Sequence, residues 1–181
     1  MKYLVASDIH GSAYYCELLM EAFEKEQAEK IVLLGDILYH GPRNDLPKEY
    51  GPKKVIPMLN ALKDKILAVR GNCDAEVDQM VLDFPITADY AMFELGKGKM
   101  VYISHGHVYY EGKLPPVRKG DVFMYGHTHV LRGEEKDGIH YLNPGSISIP
   151  KEGNPPTYAI LTEEKFIVKT FDDIVVKEYQ L

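Results

Sequence analysis

Apolar and polar positions alternate in two different rhythms along this chain. In the first half, Tyr3–Ser7, Ile31–Leu34 and Ile66–Val69 are short apolar runs of the kind that form buried strands. Between the first two runs, Leu18, Leu19, Ala22 and Phe23 recur at helical spacing within residues 13–27, behind Ser12 as an N-cap. Between the second and third, a Gly- and Pro-bearing loop from Gly41 to Pro52 leads to a helix predicted over Val55–Lys63, with Pro57 in its first turn. Strand–helix alternation predicts right-handed crossovers and a largely parallel sheet with helices against its outer face.

From Tyr90 the helical period fades. Short strands are predicted at Ala91–Leu95, Met100–Ser104, Val122–Tyr125, Ile139–Leu142, Tyr158–Leu161 and Phe166–Phe171. Gly96-Lys97-Gly98 and Lys136-Asp137-Gly138 read as hairpin turns, because glycine reaches the positive φ such turns require. The second half is expected to form a mainly antiparallel sheet stacked on the first. No internal repeat or linker-like stretch divides the chain, and 181 residues are within reach of one core, so a single domain over residues 1–181 is expected.

Charge narrows the field of partners. Lys and Arg number 21 against 27 Asp and Glu, a formal charge of −6, and no dense basic run tracks a polyanion. Long nucleic acid is therefore a disfavoured partner, although a local cationic site would still attract a small anion. The two cysteines, Cys16 and Cys73, fit neither a metal-finger spacing nor a disulfide framework, which points to a reducing cytoplasm. Asp8 interrupts the opening apolar run too early for a signal peptide, and no apolar run reaches membrane-spanning length, so no membrane association is expected. The sequence is compatible with a homo-oligomer.

The chemistry gathers in five polar clusters: Asp8-Ile9-His10, Gly35-Asp36, Gly71-Asn72-Cys73-Asp74, Ser104-His105-Gly106-His107 and Gly126-His127-Thr128-His129. Each closely follows an apolar strand, and the carboxyl ends of strands form the rim of the ligand crevice in open α/β sheets. Carboxylates from Asp8 and Asp36, an amide oxygen from Asn72 and imidazoles from His10, His105, His127 and His129 make a mixed N/O donor set. Such a set suits Mn, Fe, Zn or a related divalent ion better than soft-metal chemistry. Glycine adjoins Asp36, Asn72, His105 and His127, as sharp strand-end turns or close backbone approach require. Taken singly, an Asp-X-His or Gly-Asp pair is an ordinary strand end, and only the ordered set at successive strand ends carries the inference. Arg70 is a candidate phosphate contact or a partner for a nearby carboxylate, and His40 a candidate substrate contact or a plain loop residue. His107 reads as a residue behind the ligands or facing the substrate, and His140 as an ordinary strand residue.

With these motifs in view, the sequence resembles the calcineurin-like metallophosphoesterases, and among them the small bacterial and archaeal phosphodiesterases of the YfcE type. The likeness runs through Asn143-Pro144-Gly145-Ser146, similar to the family's closing loop. It implies an α/β fold of two stacked mixed β-sheets flanked by helices, a four-layer α/β/β/α sandwich. It also implies two divalent ions, one held by Asp8, His10, Asp36 and His129 and the other by Asp36, Asn72, His105 and His127, with Asp36 bridging. Mn²⁺ is favoured, and Fe²⁺, Zn²⁺, Ni²⁺ and Mg²⁺ are alternatives. The implied activity is hydrolysis of a small phosphodiester by a hydroxide bridging the two ions, with Asp36, Asn72 and His105 as catalytic residues and Asn72, Arg70 and His40 as substrate contacts. Cys73 stands where most of the superfamily has a histidine that assists the leaving group. A phosphomonoesterase or nuclease of the same fold is an alternative, as is a noncatalytic scaffold like the retromer subunit, although such a scaffold should have lost several donors.

Overall fold

A computed structural model covers residues 1–181. Strands β1 (Tyr3–Ala6), β2 (Lys30–Leu33) and β3 (Ile66–Ala68) lie parallel, in the order β1-β2-β3. Helix α1 (Ala13–Lys25) returns the chain from β1 to β2, and α2 (Pro52–Asn60) with a 3₁₀ turn (Lys63–Lys65) returns it from β2 to β3. Ser12 caps α1 as expected, its side chain accepting from the Tyr15 N–H. The second helix starts earlier than predicted: Pro52, not Pro57, occupies its first turn, where a missing N–H leaves no carbonyl unsatisfied. Pro57 lies inside the helix, which Val55 and Leu59 hold in place by complete burial.

The period-2 alternation of β1 and β2 sorts the core into two layers. Leu4, Ala6, Ile31 and Leu33 face the helices and meet Leu19, Phe23, Val55 and Leu59. Tyr3, Val5, Val32 and Leu34 point the other way, against Val101, Ile103, Val122, Met124 and Leu142 of a second sheet. Each fully buried aliphatic side chain contributes about 1.5–3 kcal/mol. The packing between the sheets therefore fixes their strand ends relative to one another.

The second sheet, ordered β4-β5-β6-β8-β7, contains β4 (Tyr90–Gly96), β5 (Lys99–Ser104), β6 (Val122–Met124), β7 (Leu131–Lys136) and β8 (Ile139–Pro144). The expectation of a mainly antiparallel second half needs correction, because β5, β6 and β8 run parallel. In addition, β9 (Thr157–Leu161), β10 (Lys165–Thr170) and β11 (Val175–Gln180) join the first sheet, with β9 antiparallel to β1. Both sheets are thus mixed. A short helix, α3 (Glu76–Gln79), is the last in the chain. Irregular chain bearing Tyr109, Leu114 and Val117 packs on Tyr102, Phe123, Tyr125 and Tyr141 of the second sheet, and takes the place of the second helical layer. No helix is long and apolar enough to cross a membrane.

Candidate metal centre

The parallel strands deliver their polar sequels to one rim. Asp8 and His10 follow β1, Asp36 follows β2, Asn72 follows β3, His105 follows β5, and His127 and His129 follow β6. His129 Nε2 lies 3.1 Å from Asp8 Oδ1 and 3.4 Å from His10 Nε2. His10 Nε2 is also 3.7 Å from both Asp8 Oδ1 and Asp36 Oδ2. On the other side of Asp36, His105 Nε2 is 3.4 Å from Asp36 Oδ2 and 3.0 Å from Asn72 Oδ1, and the His127 ring centre is 5.0 Å from that of His105. Two groups of donors therefore meet at Asp36.

Hydrogen bonds behind the rings decide which atoms face inward. The Nδ1 of His10, His105 and His129 lies 2.8, 2.6 and 2.5 Å from the carbonyls of Tyr39, Leu34 and Ile149. A carbonyl only accepts, so each Nδ1 carries a proton, and in its neutral form each ring turns an Nε2 lone pair inward. The centre thus assembles nitrogen lone pairs, carboxylate oxygens and an amide oxygen, and Asp8 Oδ1 is buried with no hydrogen-bond donor. Acceptors converging on acceptors cost free energy unless a cation stands between them. The residues fit the binding of divalent metal on that ground.

Charge responds to the same crowding. Burial works against the charged form of Asp36, but a hydrogen bond and charge from His105 outweigh it and hold the carboxyl below its usual range. Burial likewise opposes a charged His105, yet Asp36 and Asp8 raise it to about 9. Asp8 is lowered and His129 raised by their mutual contact, each against burial, while burial lowers His10 and His127. Without a metal, a second proton on His105 offsets part of the acceptor repulsion, and a metal would take that proton's place.

The backbone is strained where it carries the donors. Asp8, His10, Asp36, His127 and His129 all have positive φ, between 50° and 64°, a region uncommon outside glycine. Two neighbouring glycines are required by close approach. A Cβ on Gly71 would lie 2.0 Å from Asp36 Oδ1, and one on Gly126 would lie 1.8 Å from Ser7 Oγ.

Several side chains that hold this geometry were not assigned a role from the sequence. Asp74, buried, accepts from the N–H groups of Asp36, Ile37 and Gly71 at 2.8, 2.8 and 2.7 Å, tying the turn after β2 to the turn after β3. Burial, with Asp36 nearby, raises its pKa to about 6 against those donors. Ser7 Oγ donates to Asp8 Oδ2 at 2.5 Å, and Ser146 and Ser148 donate to the Asp8 carbonyl. Asn143 donates to the Gly126 carbonyl and to Thr128 Oγ1, so the segment 143–146 braces the His127–His129 turn. The side-chain signal for Asp74 was its place at the end of the Gly-Asn-Cys-Asp run.

A cleft of about 380 Å³ opens over the centre, lined by His10, Asp36, Asn72, Cys73, His127, His129 and, from two loops, Arg43 and Lys151. The Cys73 N–H donates to Asp36 Oδ1 at 2.8 Å, and burial followed by the Asp36 charge pushes its thiol up to about 12. Arg70 and His40 do not line this cleft. Arg70 pairs with Asp89 beside a separate cavity. His40 packs edge-on against Tyr39 and Tyr50, with ring centres 4.8 and 5.1 Å away. His107 stands behind the ligands, its ring centre 5.4 Å from that of His105, and His140 bonds Tyr179 Oη as a strand residue.

Comparison with known proteins identifies the family. The calcineurin-like phosphoesterase superfamily domain matches residues 1–165. The chain is 47% identical to phosphodiesterase YfcE of Escherichia coli K12, over 96% of this chain and 94% of the relative. The solved structure of the E. coli phosphoesterase Yfce superposes with a TM-score of 0.95 at 45% identity, covering 98% of each chain. Vacuolar Protein Sorting 29 from Cryptosporidium parvum, at 18% identity and a TM-score of 0.64 over 99% of this chain and 98% of its own, shares the fold. The chain belongs to the calcineurin-like phosphoesterase superfamily.

Proposed function

We propose that this protein is a phosphodiesterase that hydrolyses a small phosphodiester with the help of two divalent ions, Mn²⁺ by preference. The observation that carries the reading is the convergence of inward-facing acceptors on Asp36. Asp8, His10 and His129 would hold one ion, Asn72, His105 and His127 the other, and Asp36 both. Bound there, the pair would acidify a water molecule and offset charge growing on the phosphate oxygens. The protein's part is preorganisation. Backbone carbonyls fix the three imidazole orientations, Asp74 fixes the turns carrying Asp36 and Asn72, and Asn143 and Ser146 fix the turns after β6 and β1.

The Cys73 thiol, which burial and the Asp36 charge push up when no metal is bound, is a donor beside Asn72 for a departing ester oxygen, but it is weaker than imidazolium. Departure of aryloxides should therefore be favoured over that of alkoxides. The diester preference is supported by the phosphodiesterase YfcE at 47% identity, and a small substrate by the absence of a basic stripe. Both cysteines are free, in keeping with a reducing cytoplasm, and the shared inter-sheet core supports one domain over residues 1–181.

The test is chelation followed by Mn²⁺ restoration, with parallel assays of an aryl phosphodiester, its monoester, a cyclic nucleotide and single-stranded DNA. Diester turnover should vanish and return. Full activity after verified metal removal contradicts the proposal, and faster turnover of the monoester or DNA replaces it with a phosphomonoesterase or nuclease.

A further inference from the structure

The cleft has an unexpected source of positive charge. Arg70, Arg118 and Arg132 each meet a carboxylate, Asp89, Asp121 and Glu111 with Glu134 respectively, whereas Arg43 has no such partner and lines the cleft. Lys151, also without an ion pair, lines the cleft from a different loop. Neither is placed at random. Asn44 Nδ2 donates to the His40 carbonyl at 2.7 Å, closing the turn that carries Arg43, whose Gly41 lies so near Cys73 that a Cβ there would be 3.0 Å from Sγ. The Lys151 N–H donates to the His129 carbonyl at 3.2 Å, coupling that loop to a candidate ligand. In a chain of net charge −6, two unneutralised cations over one cleft are a directed field. The cleft carries no Leu, Ile, Val, Phe or Tyr, so its grip on a substrate beyond the reacting phosphate is polar.

We propose that Arg43 and Lys151 form a second anion subsite, so that the preferred substrate carries a phosphate or carboxylate on one ester arm in addition to the reacting diester. Arg43 supplies a planar fork that fits either group, and Lys151 a compact charge on a flexible stem in the same cleft. This rests on the phosphodiesterase reading and deepens it by naming the substrate class. No proton or bond changes at this subsite. It binds and orients.

Calorimetry on the Mn²⁺-loaded protein tests the subsite by binding, independently of turnover. The probes are methyl phosphate, 2-carboxyethyl phosphate, the bisphosphate of 1,2-ethanediol and, as an apolar control, phenyl phosphate. The two probes that carry a second anionic group should bind about tenfold tighter than methyl phosphate. Arg43→Gln and Lys151→Gln should each erase most of that ratio, and Arg43→Lys should keep part of it. Arg118→Gln, which removes a cation outside the cleft, should leave the ratio as in the wild type. No preference in the wild type overturns the proposal, as does an equal fall in Arg118→Gln, which would reveal only a net-charge effect. Tighter binding of phenyl phosphate than of the bisphosphate also overturns it, in favour of the apolar pocket of Tyr39, Tyr50 and Ile56 beyond Cys73. Absence of diester hydrolysis with the binding ratio intact would instead sink the phosphodiesterase reading and leave the anion subsite standing.

Discussion

The two ends of the first sheet treat charge in opposite ways. At the far end from the cleft, Glu26, just past α1, meets Lys2 before β1, Lys169 on β10 and the Tyr158 hydroxyl on β9, so each acceptor faces a donor. At the cleft end, carboxylates, an amide oxygen and imidazole lone pairs face one another across a strained backbone. The same sheet supports both, and the inter-sheet core holds the second arrangement together against its own repulsion. Paired charge at one end serves the fold. Unpaired acceptors at the other are an arrangement that the fold alone does not favour, and a cation resolves it.

The contrast breaks most sharply at the ligands themselves. Asp8→Asn or His129→Ala should remove chiefly one metal, and His105→Ala or His127→Ala chiefly the other, each with a loss in kcat exceeding about 100-fold. Metal counting on each variant checks the division, and equal loss of both ions in all four would leave it unsupported. Asp74→Asn should weaken metal binding and turnover by about 10- to 100-fold while the chain still folds, because its carboxylate accepts from the N–H groups of Asp36, Ile37 and Gly71 that place the two turns. Calorimetric titration with Mn²⁺ reads that effect, and wild-type affinity would show that Asp74 does not position the site.

Cys73→His should flatten the dependence of kcat on leaving-group pKa, and Cys73→Ser should change it little. Rates across a series of aryl and alkyl diesters measure the slope. An unchanged slope in a metallated, folded Cys73→His protein removes this position from leaving-group chemistry. The smallest effect lies at the paired end. Glu26→Gln should cost about 1–2 kcal/mol of stability at neutral pH, in denaturant titrations. Burial opposes the charged form of Glu26, but bonds from Lys169, Lys2 and Tyr158 lower its pKa overall. The contribution is therefore present above the ordinary value of 4.5 and is lost as pH falls through the lowered folded value. The stability gap between wild type and Glu26→Gln should close with it, and a gap that persists in acid would assign the loss to packing.

What the sequence made legible follows from how local each signal is. The runs at Tyr3 and Ile31 read as strands because burial on both faces leaves little polar interruption, and the half-buried run at Ile66 because its residues are all apolar. Strands β7 and β11 were missed because they are edges of their sheets, and their largely polar or exposed residues lack a buried face. The partnership of β9 with β1 joins segments too distant for any local pattern to report. Glycine and strand-end position exposed the donors one by one. Asp74, Arg43 and Lys151 escaped because their roles arise only where separate loops meet, and the same tertiary context paired Arg70 with Asp89.

The central claim is that Asp36 belongs to two metal sites at once, and metal analysis of purified Asp36→Asn beside the wild type tests it most directly. The wild type should bind two divalent ions per chain, and Asp36→Asn, folded by circular dichroism, should lose occupancy of both together with diester turnover. An Asp36→Asn protein that retains two ions and normal turnover would contradict the account.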